Sequence, residues 1–141
     1  MKKFKFVPPY SEKGKTNFRA SQNRSGVYLI KENGILVYVG FSAKNLYKTM
    51  YRHFQRWSHK TQDVITYVDK MTKNKYLVRI IYCTPKQAQY LEKALIKKHR
   101  PRDNYMQYEI MLDNYTPKEN KYMEEVVDIY ENVNVSYDLP F

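Results

Sequence analysis

The chain has 141 residues, the size of one globular domain with a buried core. Its 25 Lys and Arg against 14 Asp and Glu give a formal net charge of +11, which favours a polyanionic partner such as DNA or RNA. No run of about 18 apolar residues occurs, which excludes a membrane-spanning helix. The single cysteine, Cys83, excludes an internal disulfide and argues against a zinc cluster. The first residues are basic and lack the apolar segment of a secretory signal, so we expect a cytoplasmic protein.

Charge is distributed unevenly along the chain. Residues 1–104 carry 23 Lys and Arg against six Asp and Glu, whereas residues 105–141 carry two against eight. The basic part is the expected surface for nucleic acid, although a basic composition alone also fits a protein without such a ligand. We expect the acidic part either to cover this basic surface or to contact a protein partner.

A β-hairpin is predicted near the start of the basic part. Two β-rich runs, Val27–Lys31 and Ile35–Val39, flank Glu32-Asn33-Gly34. Asn-Gly tolerates positive φ at both residues and is the strongest short hairpin signal. Each strand carries one tyrosine, Tyr28 or Tyr38.

Alternation with period two predicts which hairpin side chains share a face. It places Leu36 and Tyr38 on one face of the second strand, and one register lets Tyr28 point to the same side. Gly40 ends this strand where a Cβ would obstruct the close approach of another group. From these residues alone, two tyrosines in an ordinary core are the favoured interpretation of the pattern.

A basic amphipathic helix is predicted over Asn45–Trp57. Apolar residues recur at helical spacing and form a buried stripe, namely Leu46, Met50, Phe54 and Trp57. At 100° per residue, Thr49, Arg52 and Arg56 fall on the polar side, with His53 at the border. Guanidinium groups suit phosphate oxygens because they donate two parallel hydrogen bonds. A solvated basic face is the competing interpretation.

Three further elements have clear signals. The nearly continuous apolar run Tyr76–Cys83 predicts a central strand. Thr84, followed by proline, caps a helix that is predicted to run to about His99. Thr116, with proline next and Glu119 at the third helical position, forms a capping box and begins a helix through about Glu131.

Glu92 stands out within the second predicted helix. It is the only acidic residue between Asp69 and Asp103, and it lies beside the apolar stripe of the helix. A lone carboxylate in so basic a segment needs either a salt bridge or a metal ion. From these residues alone, the salt bridge is favoured.

Two separated motifs in this order resemble the GIY-YIG nuclease family. The first is Gly26-Val27-Tyr28, then Tyr38-Val39-Gly40, then a helix ending in Arg52-His53-Phe54. The second is the stretch from Ala88 to Asn104, where Glu92 precedes a Leu-Ile pair and a basic, proline-containing turn leads to asparagine. The resemblance covers roughly residues 24–105.

The resemblance implies an α/β fold, a GIY-YIG-like domain with a small central, mainly antiparallel three-stranded sheet flanked by helices. Three segments are then expected. Residues 1–24 form a basic N-terminal arm, residues 25–105 form the domain, and residues 106–141 form an acidic C-terminal helix and tail packed on the same domain.

The resemblance also implies a metal-dependent DNA endonuclease and a role for each matching residue. Tyr28 or Tyr38 would help to activate the attacking water, while the other positions the substrate. His53 would assist proton transfer or contact the phosphate. Glu92 would hold one divalent ion, Mg²⁺ or Mn²⁺. The substrate would be DNA, with RNA as an alternative.

Four residues are expected to bind nucleic acid. They are Lys44, Lys48, Arg56 and Asn104, the last of which would also support the site by hydrogen bonding. No membrane partner is expected, and a protein partner could bind the acidic C-terminal region.

The chain departs from the family pattern at Thr49. Aligning the family's Arg-x-x-x-His pattern on His53 places the family's essential arginine at this position. Losing such a donor costs about 10²–10³ in rate. Arg52 or Arg56 could supply the missing guanidinium, since one helical turn advances only about 5.4 Å. Otherwise the domain is a catalytically inactive module that binds nucleic acid or a protein partner.

Overall fold

The computed structural model describes residues 1–55, 64–107 and 115–138. The predictions that fall on Arg56 and Trp57 therefore lie outside the described residues. No helix in the described ranges is both long and apolar enough to cross a bilayer. The elements in chain order are strand β1 (Lys2–Phe4), strand β2 (Gly26–Glu32), strand β3 (Ile35–Ser42), helix α1 (Leu46–Tyr51), strand β4 (Tyr76–Tyr82), helix α2 (Pro85–His99), helix α3 (Pro117–Asn132) and strand β5 (Val135–Ser136).

The strands form one sheet in the order β3-β2-β4-β1-β5. β2 lies between β3 and β4 and pairs antiparallel with each of them, which confirms the predicted antiparallel core. Two short strands extend this core: β1 pairs antiparallel with β4, and β5 pairs parallel with β1. Both strands are too short for their alternation to be recognised in the sequence.

The predicted hairpin joins β2 and β3. Asn33 and Gly34 both have positive φ, 50° and 84°, as a two-residue turn between twisted strands requires. Backbone and side-chain hydrogen bonds tie Asn33 to Asn74 and Lys75 in the loop before β4. The turn is therefore fixed to the third strand of the sheet core.

A β-bulge sets the faces of the hairpin. With a two-residue turn and regular pairing, residues ten positions apart across the turn would project to opposite faces. Tyr28 and Tyr38 nevertheless share a face, because the register shifts after Ile30 and Val37 becomes the extra residue. The bulge also turns Leu36 to the opposite face. The prediction that Leu36 and Tyr38 share a face is therefore wrong.

The sheet separates two apolar cores. The tyrosine face packs against α1 and the N-terminal segment, and its largest buried side chains include Phe18, Leu46, Met50, Tyr51 and Tyr67. The other face packs against α2, which buries Ala88, Leu91, Leu95 and Ile96 there. Each fully buried side chain of this size contributes about 1.5–3 kcal/mol relative to exposure. Packing in these two cores fixes the positions of α1 and α2 relative to the hairpin.

Helices α2 and α3 begin as the sequence predicts. Thr84 and Thr116 each accept a hydrogen bond from the backbone of the third helical residue, and Gln87 and Glu119 complete the two capping boxes. α2 ends at Arg100, whose left-handed conformation closes the helix. α3 packs along α2 and adds Val126 to the second core.

Helix α1 is shorter than predicted. It ends at Tyr51, a 3₁₀ turn follows over Arg52–Phe54, and Gln55 is already extended. The reason lies far along the chain, because Tyr67 donates its backbone N–H to the carbonyl of His53. This turn buries His53, which was expected at the border of an exposed polar face.

Candidate active site

The two hairpin tyrosines lie close together under Gly40. The rings of Tyr28 and Tyr38 stack with centroids 6.1 Å apart and an interplanar angle of 23°. Gly40 pairs with Tyr28 across the hairpin, and a Cβ on Gly40 would lie only 2.3 Å from both Cζ and Oη of Tyr28. The glycine therefore provides the space that the Tyr28 ring occupies.

His53 accepts a hydrogen bond from Tyr28. The imidazole is only 3% exposed, and its Nδ1 lies 2.7 Å from the carbonyl oxygen of Ile65. A carbonyl can only accept, so Nδ1 carries the proton and the neutral ring presents a lone pair on Nε2. Tyr28 Oη lies 2.8 Å from Nε2 and donates to it. Burial lowers the pKa of His53 to about 4, which keeps the ring neutral and its Nε2 lone pair available as a hydrogen-bond acceptor.

Burial also keeps both tyrosines protonated. It raises the pKa of Tyr28 well above its usual value, and the neighbouring Tyr38 and Glu92 add to the shift. Burial and then Glu92 raise the pKa of Tyr38 to about 12. The site thus holds two phenols and a neutral imidazole at neutral pH, rather than a phenolate.

Glu92 approaches the tyrosines from α2, on the other side of the sheet. The side chain is 4% exposed, and its Oε1 has no hydrogen-bond partner among the described residues. Burial raises the pKa of Glu92 to about 8, against a smaller opposing effect of Lys93 and of the Phe41 backbone. Among the described residues none forms an ion pair with Glu92, so the salt bridge that the sequence favoured is not found in this part of the chain.

A cavity of about 300 Å³ opens beside the tyrosines. Tyr28, Tyr38, Thr49, Arg52 and His53 all line it, so the predicted arginine and imidazole meet the tyrosine pair. Arg52 is close enough to His53 to help lower the pKa of the imidazole. Glu92 does not line this cavity, although its charge reaches both tyrosine hydroxyls.

The remaining predicted residues lie at different depths. Lys44 and Lys48 are exposed near α1, and Lys48 shares a second depression with Arg52. Asn104 is buried: its Oδ1 accepts from Val39 N at 2.9 Å, and its Nδ2 donates to Val39 O at 3.0 Å. A contribution of Asn104 to nucleic-acid binding would therefore be indirect, through strand β3.

One part of the cavity lining was not predicted from the sequence. A 3₁₀ turn over Arg102–Gln107 adds Asp103, Tyr105, Met106 and Gln107 to the lining. These residues flank the Asn104 motif, and that adjacency was the available signal.

Asp103 adds a carboxylate to this part of the lining, and the positive charge of Arg102 balances its negative charge. Arg102 contacts it through two nitrogens at 2.9 Å and also contacts Glu32, while Tyr67 donates its hydroxyl to Asp103 at 2.8 Å. These bonds, led in effect by Arg102, overcome burial and hold the pKa of Asp103 below its usual range. The cavity therefore contains an ionised carboxylate that is already paired.

Glu92 is a candidate ligand for a divalent ion. Mg²⁺ needs only one or two carboxylates, and Glu92 offers a buried oxygen that has no hydrogen-bond partner among the described residues. The described residues contain no cluster of three or more His, Cys, Asp or Glu that would enclose an ion. An all-protein cage, such as that of a structural zinc site, is not formed by this part of the chain.

Comparison with known proteins gives a consistent family. A model of the UvrC-like GIY-YIG domain matches residues 24–105. UvrABC system protein C of Symbiobacterium thermophilum is 34% identical over 87 residues, 61% of this chain and 13% of that protein. The proteins of the same name from Acetivibrio thermocellus and Christiangramia forsetii are each 38% identical over 85 residues, 60% of this chain. The match spans only 13% of the length of each of these relatives.

Proposed function

Because the chain belongs to the GIY-YIG nuclease family, we propose that it is a metal-dependent DNA endonuclease that hydrolyses phosphodiester bonds. The observation that carries this proposal is the hydrogen bond from Tyr28 to neutral His53, at the wall of a cavity that also contains Arg52. A paired proton donor and acceptor beside a guanidinium is suited to a phosphoryl centre that a water molecule attacks.

Tyr28 is the proposed proton carrier. Since its hydroxyl hydrogen is directed to His53 Nε2, Tyr28 Oη can act as an acceptor toward the attacking water. As water attacks phosphorus, its proton passes to Tyr28 while the Tyr28 proton passes to His53. The phenol is never left as a phenolate, which its raised pKa would disfavour. Tyr38, stacked on Tyr28, positions the substrate.

Arg52 is the proposed replacement for the arginine that the family pattern would place at Thr49. Both residues line the cavity, so the guanidinium of Arg52 lies beside the place where the family arginine would stand. A guanidinium donates two parallel hydrogen bonds to phosphate oxygens and stabilises the charge that develops there.

Glu92 is the proposed ligand of Mg²⁺ or Mn²⁺. When bound, such an ion neutralises phosphate oxygens and stabilises the leaving group. Its positive charge would also keep Glu92 ionised, against the burial that raises the pKa of this carboxyl to about 8.

The test is a nicking assay on supercoiled plasmid and on branched DNA, with Mg²⁺, with Mn²⁺ and with EDTA. We expect metal-dependent nicking that falls at least about 10²-fold in Glu92→Gln and in Arg52→Ala. The matched controls Glu125→Gln and Arg19→Ala change exposed residues outside the cavity and should nick normally. Full activity of Arg52→Ala would refute the proposed replacement of the family arginine.

The second candidate function is a catalytically inactive module that binds nucleic acid or a protein partner. It is favoured by one observation, the threonine at the arginine position of the family pattern. An inert wild-type chain together with a nicking Thr49→Arg variant would establish it. The proposed nuclease function includes DNA as the substrate and a cytoplasmic location. It also includes a protein partner that binds the acidic C-terminal region.

A further inference from the structure

Two exposed apolar side chains stand at the rim of the cavity. Tyr105 is 61% exposed and Met106 is 68% exposed, and both line the same cavity as Tyr28 and His53. Most large apolar side chains of the described ranges are buried in the two cores. Aromatic and thioether side chains left in solvent beside a polar site are favourable contact surfaces for a planar ligand.

The segment that carries them is firmly attached at its base. Asn104, next to Tyr105, makes two hydrogen bonds with the backbone of Val39 on β3 and a third with Gln107. Its backbone N–H also bonds to the carbonyl of Pro101 at 3.1 Å. Tyr105 is therefore presented from a fixed turn, and a ligand that stacks on it loses little free energy to ordering of the protein.

We propose that Tyr105, supported by Met106, stacks on an unpaired nucleobase next to the phosphodiester in the cavity. This inference rests on the proposed function and names its substrate class, DNA with an unpaired nucleotide beside the bond that is cut. A base inside a continuous duplex has both faces covered by its neighbours. Only a bulged, mismatched, terminal or single-stranded base offers a free face to an aromatic ring.

Continuity with the cavity favours a nucleobase over an apolar protein segment. The rim belongs to the same cavity as Arg52, and the acidic group of that cavity, Asp103, is neutralised by Arg102. A strand whose phosphate enters the cavity must place its adjacent base within reach of the rim, since base and phosphate belong to one nucleotide. The charge of residues 1–104 also favours a polyanion.

The experiment compares three oligonucleotide duplexes of one sequence, fully paired, with one bulged 2-aminopurine and with a 2-aminopurine mismatch. Binding to the full chain is measured in EDTA, so that no cleavage occurs, by anisotropy and by 2-aminopurine fluorescence. We expect the wild-type chain to bind the bulged duplex about tenfold more tightly than the paired one and to quench the probe, as one stacked base implies.

Variants identify the stacking residue. Tyr105→Ala should abolish both the preference and the quenching, Tyr105→Phe should retain them, and Met106→Ala should weaken the preference. Tyr137→Ala is the matched control, because Tyr137 is 79% exposed and does not line the cavity. Far-ultraviolet circular dichroism should be the same for all variants, since both tyrosines are exposed.

Two results would overturn the inference: equal affinity of the wild-type chain for paired and bulged DNA, or unchanged preference and quenching in Tyr105→Ala. Failure of the proposed function looks different. A chain that never nicks with Mg²⁺ or Mn²⁺ but retains the Tyr105-dependent preference would be a binding module that reads unpaired DNA. A wild-type chain that nicks with Mg²⁺ or Mn²⁺ but binds paired and bulged DNA equally would be a nuclease without this substrate preference.

Discussion

At the scale of single residues, Glu92 shows function and stability in opposition. The carboxylate is buried on α2 with one oxygen lacking a partner among the described residues, and burial raises its pKa to about 8. A buried acid with a raised pKa favours folding below its unfolded pKa, and this contribution is lost as pH rises through its folded pKa. The proposed metal ligand therefore destabilises the metal-free protein at neutral and higher pH.

Glu92→Gln should consequently change how stability depends on pH. In EDTA, we expect the free energy of unfolding of Glu92→Gln, taken relative to that of the wild type, to rise between pH 5 and pH 8.5 by on the order of 3 kcal/mol. Urea denaturation at the two pH values measures this difference, and Glu125→Gln, an exposed carboxylate, should follow the wild type. Parallel pH profiles for wild type and Glu92→Gln would contradict the raised pKa.

Gly40→Ala should damage the site by displacing Tyr28. The new Cβ would lie 2.3 Å from the phenol carbon and oxygen of Tyr28, a residue that is only 2% exposed. We expect a loss of about 1–3 kcal/mol in stability, together with loss of nicking. Thermal denaturation of Gly40→Ala, Tyr28→Ala and the double variant tests the cause: the two losses should be clearly less than additive. Additive losses would mean that the methyl group clashes elsewhere.

At the scale of elements, features set by neighbouring residues could be predicted from the sequence, whereas features set by long-range contacts could not. Helices α2 and α3 begin where Thr84 and Thr116 predict, because a capping box involves only four consecutive residues. The end of α1 could not be predicted in this way, since His53 is held by Ile65 and Tyr67 from a later segment. For the same reason, the sequence suggested that His53 lies near the tyrosines but not that it is buried.

The sequence equally gave no sign that Glu92 would lack an ion-pair partner among the residues that the structure describes. The position of Glu92 beside an apolar stripe was recognised from the sequence. Whether a cation lies within reach of its carboxylate depends on how α2 packs against the sheet. The sequence predicted that Tyr28 and Tyr38 can share a face, but it did not determine the hairpin register that places them there. The bulge at Val37 that sets this register leaves no mark in the alternation of the strand.

The 3₁₀ turn that carries Tyr105 depends on its attachment to β3. Asn104→Ala would leave the buried N–H and C=O of Val39 without their side-chain partner, which should cost about 3 kcal/mol. Asn74→Ala, which removes one exposed hydrogen bond to Asn33, should cost about 0.5 kcal/mol. Denaturant unfolding of the two variants measures the difference. Equal losses would show that the turn is held by other contacts.

At the scale of the whole molecule, the separation of charge predicts how the protein would approach DNA. Helix α1 and most of the cavity lining lie in the part of the chain with excess positive charge, whereas α3 exposes Glu124, Glu125 and Asp128. Phosphates are attracted to the first surface and repelled by the second. The acidic helix would therefore face away from bound DNA.

Lys48→Ala should weaken DNA binding equally for all sequences, and it should reduce the slope of log affinity against log salt by about one. Lys121→Ala removes an equally exposed lysine from the acidic helix and should leave both quantities unchanged. Anisotropy titrations between low and moderate salt provide the measurement. A reduced slope in Lys121→Ala would mean that DNA also contacts α3.

The bulge at Val37 has a consequence for transplanting the motif. Counting decides the geometry: across a two-residue turn, side chains separated by an even number of positions diverge unless one residue is left out of the pairing. The two tyrosines are ten positions apart, so a graft of these tyrosines alone onto a regular hairpin would point one of them into the wrong core. A portable version of this site must carry its irregularity with it, and the smallest transferable unit is the whole hairpin from Gly26 to Ser42.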